Sequence, residues 1–240
     1  MSTLSNLKLY ATYPHACSYL EGQEATTLFI DPQARVDHAL YSHLSDLGFR
    51  RSGDHIYRPR CQTCKACIPV RIPVLQFRAT RQQKRCWARN QDLTIIVSQQ
   101  LNLPLYYPLY ARYISERHAD GDMYPPNEEQ LVNFLKPAVD EGTDYLEFWL
   151  QDELIAVAVS DRLAQGLSAI YTFYSPAPEH QGRSLGVMAV LFQIARARQL
   201  ALPYVYLGYW IKNCRKMAYK NHYRPLELLI EQVWVPTGLE

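Results

Sequence analysis

Tyr145-Leu-Glu-Phe-Trp-Leu150 and Glu153-Leu-Ile-Ala-Val-Ala-Val-Ser-Asp-Arg162 are two apolar runs parted only by Gln151-Asp152. A Gln165-Gly166 turn then opens a third, Leu167-Ser-Ala-Ile-Tyr-Thr-Phe-Tyr174. Runs of this kind joined by such short turns predict three antiparallel strands. A loop over 175–182 leads into a helix expected from Ser184 to Gln199, and Tyr204 to Tyr209 reads as one more strand. Three antiparallel strands, a helix and a further strand make a compact α+β unit.

Upstream, residues 35–49 place apolar side chains at 36, 40, 44 and 47 and end at Gly48, which predicts an amphipathic helix with a glycine C-cap. His55–Arg58 and Ile68–Val74 read as short strands on either side of a cysteine loop. The stretch 78–90 is a helix with five cations and Trp87, Leu93–Val97 is a strand, and Leu105–Arg117 is a helix carrying Tyr106, Tyr107, Tyr110 and Tyr113. Rings three and four residues apart share a helix face, so core packing explains them. A Gly/Pro/Asp-rich loop from His118 to Asn127 breaks the pattern before a helix at 128–136. The expected division is therefore an N-terminal α+β domain over 1–120 and a second domain over 121–240.

Hydrophobic and charged fractions of 48% and 20% describe an ordinary globular chain of 240 residues and exclude disordered and collagen-like classes. A net charge of +2 argues against a protein that coats nucleic acid, yet permits one local basic site. There is no apolar leader and no run long enough for a membrane span, so a cytoplasmic protein is expected, with no membrane partner. Three of the six cysteines form Cys61-Gln-Thr-Cys64-Lys-Ala-Cys67. In a reducing compartment that spacing reads either as metal or cluster chemistry, with Cys17 as the fourth candidate ligand, or as three reduced thiols in a turn.

Residues 203–225 interleave six aromatics with five Lys/Arg. Flat faces suit bases and positive charge suits phosphates, although a core strand followed by a solvated basic helix accounts for the same residues. Gln181-Gly-Arg183-Ser-Leu-Gly186-Val-Met188 resembles the loop with which N-acetyltransferase-type (GNAT) domains hold a pyrophosphate at a helix N-terminus. Arg183 and Gly186 fit; Met188 stands where that pattern has a small residue. There is no Gly-x-Ser-x-Gly, no His-Glu-x-x-His and no Walker loop. An acyl transferase whose donor is an activated ester needs no protein nucleophile, only positioning, a proton acceptor and an oxyanion stabiliser.

Five long stretches carry a wider likeness: Cys17–Leu28 (Cys-Ser-Tyr-Leu-Glu-Gly-Gln-Glu-Ala-Thr-Thr-Leu), Tyr41–Gly53, Tyr57–Arg71, Gly121–Pro126 and Tyr206–Lys220. In order and along essentially the whole chain, they resemble the bacterial aspartate/glutamate leucyltransferases of the arginyl-tRNA–protein transferase superfamily. The resemblance implies transfer of leucine from Leu-tRNA to proteins whose N-terminal residue is Asp or Glu, marking them for degradation. It also implies a GNAT-like acyltransferase domain in the C-terminal half, beside a smaller cysteine-containing α+β domain. Aminoacyl-tRNA is then a co-substrate, and the chemistry requires no cofactor. Eukaryotic relatives transfer arginine and can carry an iron–sulfur cluster on a Cys-x-x-Cys pair plus a Cys-Cys pair. This chain has the single Cys17 in Cys17-Ser-Tyr-Leu, which leaves a cluster on Cys17, Cys61, Cys64 and Cys67 open.

Substrate chemistry then assigns candidates. Arg58, Arg71, Arg78, Arg81 and Lys84 are cations able to read the acceptor's carboxylate. Arg183, Lys212, Arg215, Lys216 and Lys220 would follow the tRNA acceptor end, with Tyr209 and Trp210 stacking on its terminal adenosine. His118, Asp120 and Asp122 share one loop and are the candidate proton acceptors, His118 and Asp120 foremost, whereas capping of the following helix is the other reading for the acids, Asp122 above all. Arginine as the transferred residue, a coenzyme A-dependent N-acetyltransferase and a non-catalytic tRNA-binding iron–sulfur module are the alternatives. Met188 and the basic aromatic stretch weigh against the acetyltransferase.

Overall fold

The computed structural model describes residues 7–121, 123–137, 139 and 142–237. The first half runs β1 (Leu9–Ala11), β2 (His15–Ala16), β3 (Glu24–Ala25), β4 (Thr27–Ile30), α1 (His38–Asp46), β5 (Arg50–Ser52), β6 (His55–Pro59), β7 (Ile68–Pro73), α2 (Arg81–Arg89), β8 (Thr94–Ser98) and α3 (Leu103–Arg117). Then come α4 (Glu128–Leu135), β9 (Thr143–Leu150), β10 (Glu153–Leu163), β11 (Gly166–Tyr174), α5 (Pro178–Gln181), α6 (Leu185–Gln199) and β12 (Tyr204–Trp210). A short helix α7 (Arg215–Ala218), a 3₁₀ turn (Tyr219–His222) and the hairpin β13 (Glu227–Ile230) and β14 (Val233–Pro236) complete it.

The architecture is α+β around an eight-stranded sheet ordered β14-β13-β7-β12-β11-β10-β9-β8. The three expected strands are β9, β10 and β11, antiparallel, and β12 returns parallel to β11 after α6. β7 and β8 come from the first half of the chain, and β7 lies between β12 and β13. A separate four-stranded sheet, β1-β4-β6-β5, holds the rest of the N-terminal strands.

Alternation along the strands decides which helices cover which face. Leu146, Val205 and Leu207 point to one face and pack with α6 through Met188, Ala189, Leu191 and Ile194, and with Cys86 of α2. Tyr145, Val157, Val159 and Phe173 point to the other, under Tyr106, Tyr110 and Tyr113 of α3 and Leu131 and Leu135 of α4. Three of the four tyrosines on α3 are thus buried in the core. Met188 is buried against the sheet rather than turned toward a ligand. On the same face farther along, Tyr206 meets Leu40, Tyr41 and Leu44 of α1. Each large apolar side chain buried this way stabilises the fold by about 1.5–3 kcal/mol.

Polar anchors fix the first half onto this sheet. Arg51 grips Asp161 through Nε (2.5 Å) and Nη2 (2.8 Å), and the same carboxylate accepts from Tyr41 and Thr143 at 2.7 Å. The capping box of α2, Thr80 with Gln83, is complete, and Gln83 also donates from Nε2 to the His222 carbonyl. That bond ties the start of α2 to the turn after α7.

Candidate functional site

β11 and β12 pair only between Gly166–Ser168 and Tyr204–Tyr206, and then separate. At Gly208, φ is +80° and the register with β7 shifts, a bulge that a side-chain-bearing residue would disfavour and that turns the end of β12 away. The opening lies between Ala169–Tyr174 on one side and Leu207–Trp210 on the other.

The N-terminus of α6 closes one end. Ser184 takes a left-handed conformation there, at φ +55°. A Cβ on Gly186 would meet the Tyr174 ring at 3.3 Å, so glycine lets the helix approach the end of β11. Arg183 does not reach into the opening: its guanidinium is held by Asp92 at 2.9 and 2.8 Å.

A chain of rings leads from Tyr174 to the loop after α3. Tyr174 and Tyr113 are 4.9 Å apart, Tyr113 and His118 4.8 Å, and Arg117 sits over Tyr174 at 5.4 Å. Lys216 of α7 binds Asp120 at 3.0 Å. His118, Asp120 and one candidate tRNA cation are therefore neighbours; Asp122 lies outside the described residues. Burial first, and then Lys216, lower the His118 pKa below the usual imidazole value, against a smaller opposite effect of Asp120. Asp120 is fully exposed, and its hydrogen bond with Lys216 holds its carboxyl below the usual range. His118 is thus the stronger base of the two.

Of the remaining basic-segment residues, Lys212 and Arg215 are exposed, whereas Lys220 is 5% exposed. Tyr209 is buried, its hydroxyl donating to the Gly48 carbonyl at 2.9 Å, and Trp210 is half-buried. Among the carboxylate-reading candidates, Arg71 is already engaged by Asp46 (2.7 Å) and Glu227 (2.6 Å) and lies between the Tyr204 and Trp234 rings. Arg58 donates to the Leu47 carbonyl beside the Phe49 ring, and Arg78 contacts the Leu75 and Phe77 carbonyls. Arg81 and Lys84 lie exposed on α2.

Sequence reading missed Arg50. It is 4% exposed, donates from Nη1 to the Ser45 and Phe49 carbonyls, and has Nε and Nη2 buried with no hydrogen-bond partner among the described residues. The doubled Arg50-Arg51 after a helix-ending glycine was the visible signal. Lys220 lies within electrostatic reach of Arg50.

The cysteines converge. Cys17, Cys61, Cys64 and Cys214 all lie close enough to Cys67 to bear on its ionisation; with burial as the main cause, its thiol is pushed up to about 12. Yet among the described residues no three His, Cys, Asp or Glu side chains form a group able to hold a metal ion. Cys17, Cys61, Cys64 and Cys67 as arranged do not fit an iron–sulfur cluster. Among the described residues, no helix is long and apolar enough to cross a membrane.

Known proteins resemble this chain along its whole length. The profile for "Arginine-tRNA-protein transferase, N terminus" matches residues 15–85 and that for "Arginine-tRNA-protein transferase, C terminus" matches 105–230. An aspartate/glutamate leucyltransferase of Pseudomonas fluorescens (strain Pf0-1) is 56% identical over 235 residues, 98% of this chain and 99% of the relative. One from Stutzerimonas stutzeri (strain A1501) is also 56% identical with the same coverage. Among solved structures, FemX aligns with a TM-score of 0.47 at 10% identity over 85% of this chain and 80% of its own. The C-terminal domain of a putative lysylphosphatidylglycerol synthetase from Agrobacterium fabrum gives 0.46 at 13% over 84% and 64%.

Proposed function

The chain belongs to the arginine-tRNA–protein transferase family, and from that premise we propose that it transfers leucine from Leu-tRNA to the N-terminal Asp or Glu of acceptor proteins. Identity of 56% across 98% of the chain to enzymes named for that activity carries the reading. It is an aminoacyltransferase.

The acceptor's α-amine, with an ordinary pKa of about 7.7–8.0, is partly neutral near pH 7 and attacks the aminoacyl ester carbonyl. As the C–N bond forms, the amine proton passes to His118, neutral because burial and Lys216 disfavour its charged form. The tetrahedral intermediate then collapses, the ester C–O bond breaks, and the departing ribose oxygen takes the proton. The opening between β11 and β12 is where donor and acceptor meet in this reading. Exposed Lys212 and Arg215 would contact the acceptor-stem phosphates. The new N-terminal leucine would mark the acceptor for proteolysis, in the cytoplasm.

The test is direct. The protein is incubated with labelled Leu-tRNA or Arg-tRNA and peptides beginning with Asp, Glu, Lys or Ala. Leucine on the Asp and Glu peptides alone is the expected result. Arginine transfer overturns the donor assignment; binding of tRNA with no transfer overturns the enzymatic reading.

A further inference from the structure

Arg50 and Lys220 are buried cations with no carboxylate partner among the described residues. Arg50 is 4% and Lys220 5% exposed. The Lys220 ammonium donates to the Met217 sulfur at 3.2 Å, lies 5.2 Å from the Tyr219 ring centroid, and has the Cys214 and Cys67 thiols within electrostatic reach. Arg50 faces the Tyr206 ring at 5.2 Å, with Tyr57 and Tyr209 also close. Neither takes part in an ion pair among the described residues. Elsewhere the molecule satisfies its buried arginines: Arg51 has Asp161, and Arg71 has Asp46 and Glu227. Two like charges left bare in a low-dielectric setting oppose folding, so their retention needs another cause.

The atoms left free say what fits. Nε and Nη2 of Arg50 form the edge that binds a carboxylate with two parallel hydrogen bonds. Arg51, its neighbour, uses that same edge on Asp161. We propose that Arg50 and Lys220 form the pocket that reads the side-chain carboxylate of the acceptor's N-terminal Asp or Glu.

This rests on the aminoacyl-transfer reading and adds to it the residues that select the acceptor. Lys220 lies in the 3₁₀ turn beside Tyr219, which is 43% exposed, and entry of the carboxylate in this proposal requires that turn to move outward. The five residues from Lys216 to Lys220 connect this pocket with the ion pair next to His118. An Asn or Gln side chain would leave both cations unpaired, which is how a buried polar pocket rejects a neutral isostere. Tyrosines around the pocket exclude water and sharpen that preference.

The experiment compares the full-length wild type, Lys220→Met and Arg50→Lys with peptides beginning Asp, Asn, Glu or Gln. It reads KM, kcat, peptide binding by calorimetry and, separately, the Kd for Leu-tRNA. Lys220→Met removes a buried charge and is expected to fold. The expected result is a rise in KM for Asp and Glu peptides of about tenfold or more, with kcat nearly unchanged and a smaller Asp-over-Asn preference. Leu-tRNA binding should not change. An unaltered KM and Asp-over-Asn ratio in Lys220→Met overturns the proposal, and so does an equal loss of Leu-tRNA affinity, which would assign the pocket to a tRNA phosphate. Calorimetry reads the pocket even if wild type transfers no leucine: equal binding of Asp and Asn peptides to wild type overturns the pocket, whereas absent transfer with Asp-selective binding overturns only the transfer reading.

Discussion

Lys216 and Asp120, joined at 3.0 Å, link the short helix after β12 to the loop after α3, and so bring the basic segment beside His118. The two side chains are 60% and 71% exposed, so solvent screens the pair and it adds little to stability. Its effect is on placement and on local potential.

Replacing His118 with Asn is expected to lower kcat by about 10²–10⁴-fold, the usual contribution of a general base, with KM for Leu-tRNA little changed. Asp120→Asn should lower it far less. Single-turnover transfer of labelled leucine decides between them, and a larger loss in Asp120→Asn would transfer the base role to the carboxylate.

The pH profile carries a sign. Because burial and Lys216 depress the His118 pKa, the acid limb of kcat should fall below the ordinary imidazole value of 6.5, with rate lost as pH drops through it. Lys216→Met removes the second cause, so the limb should move toward higher pH. A shift the other way would show that His118 does not set the limb.

Lys220 makes the fold less stable than it could be. Burial and Arg50 lower its pKa from 10.5 to about 8, so the folded state holds the proton more weakly than the unfolded chain. The penalty is full below about pH 8 and fades as pH rises toward 10.5. Lys220→Met should therefore unfold at a higher temperature near pH 7, a gain on the order of 2–3 kcal/mol, while losing Asp and Glu discrimination. Melting curves across pH 7–9.5 should show wild type gaining on the variant.

Asp161 is the converse case. Asp161→Asn leaves Arg51 buried without its counter-charge and should cost about 3–5 kcal/mol, read from denaturant unfolding. Arg51 also donates to the Phe134 and Lys136 carbonyls, so the end of α4 should loosen in hydrogen exchange.

Cys67 should alkylate slowly at pH 7–8, since burial and four neighbouring thiols hold its pKa near 12, far above the roughly 8.5 of a free thiol. Iodoacetamide labelling followed by peptide mapping gives the rate, and fast labelling of Cys67 would contradict its burial.

Local pattern was enough to locate β9, β10, β11, α6 and β12, because each carries its own period and its own turn. The capped helices α1 and α2 were legible for the same reason. The β13–β14 hairpin and β5 were not read, being short and held by strands distant in sequence. The same limit governs the site. His118, Asp120 and Lys216 were each visible as residues of the right type, but their meeting depends on α7 folding back over nearly a hundred positions. Arg71 looked as available as Arg50 did in sequence; only the fold shows that Asp46 and Glu227 pair with Arg71, whereas Arg50 has no carboxylate partner among the described residues. Lys220 read as one more cation in a basic run, because burial leaves no mark on a residue's neighbours in sequence.

β7 leaves the ribosome long before β12 and β13, yet these are its two neighbours in the finished sheet. During synthesis it must wait, with Val70 and Ile72 exposed, until nearly the last strand arrives. Such distant pairings slow folding and leave an unpaired edge open to other chains. A chain stalled before β12 holds a sheet that lacks its centre, and rapid translation of the final forty residues shortens the interval in which that edge can aggregate.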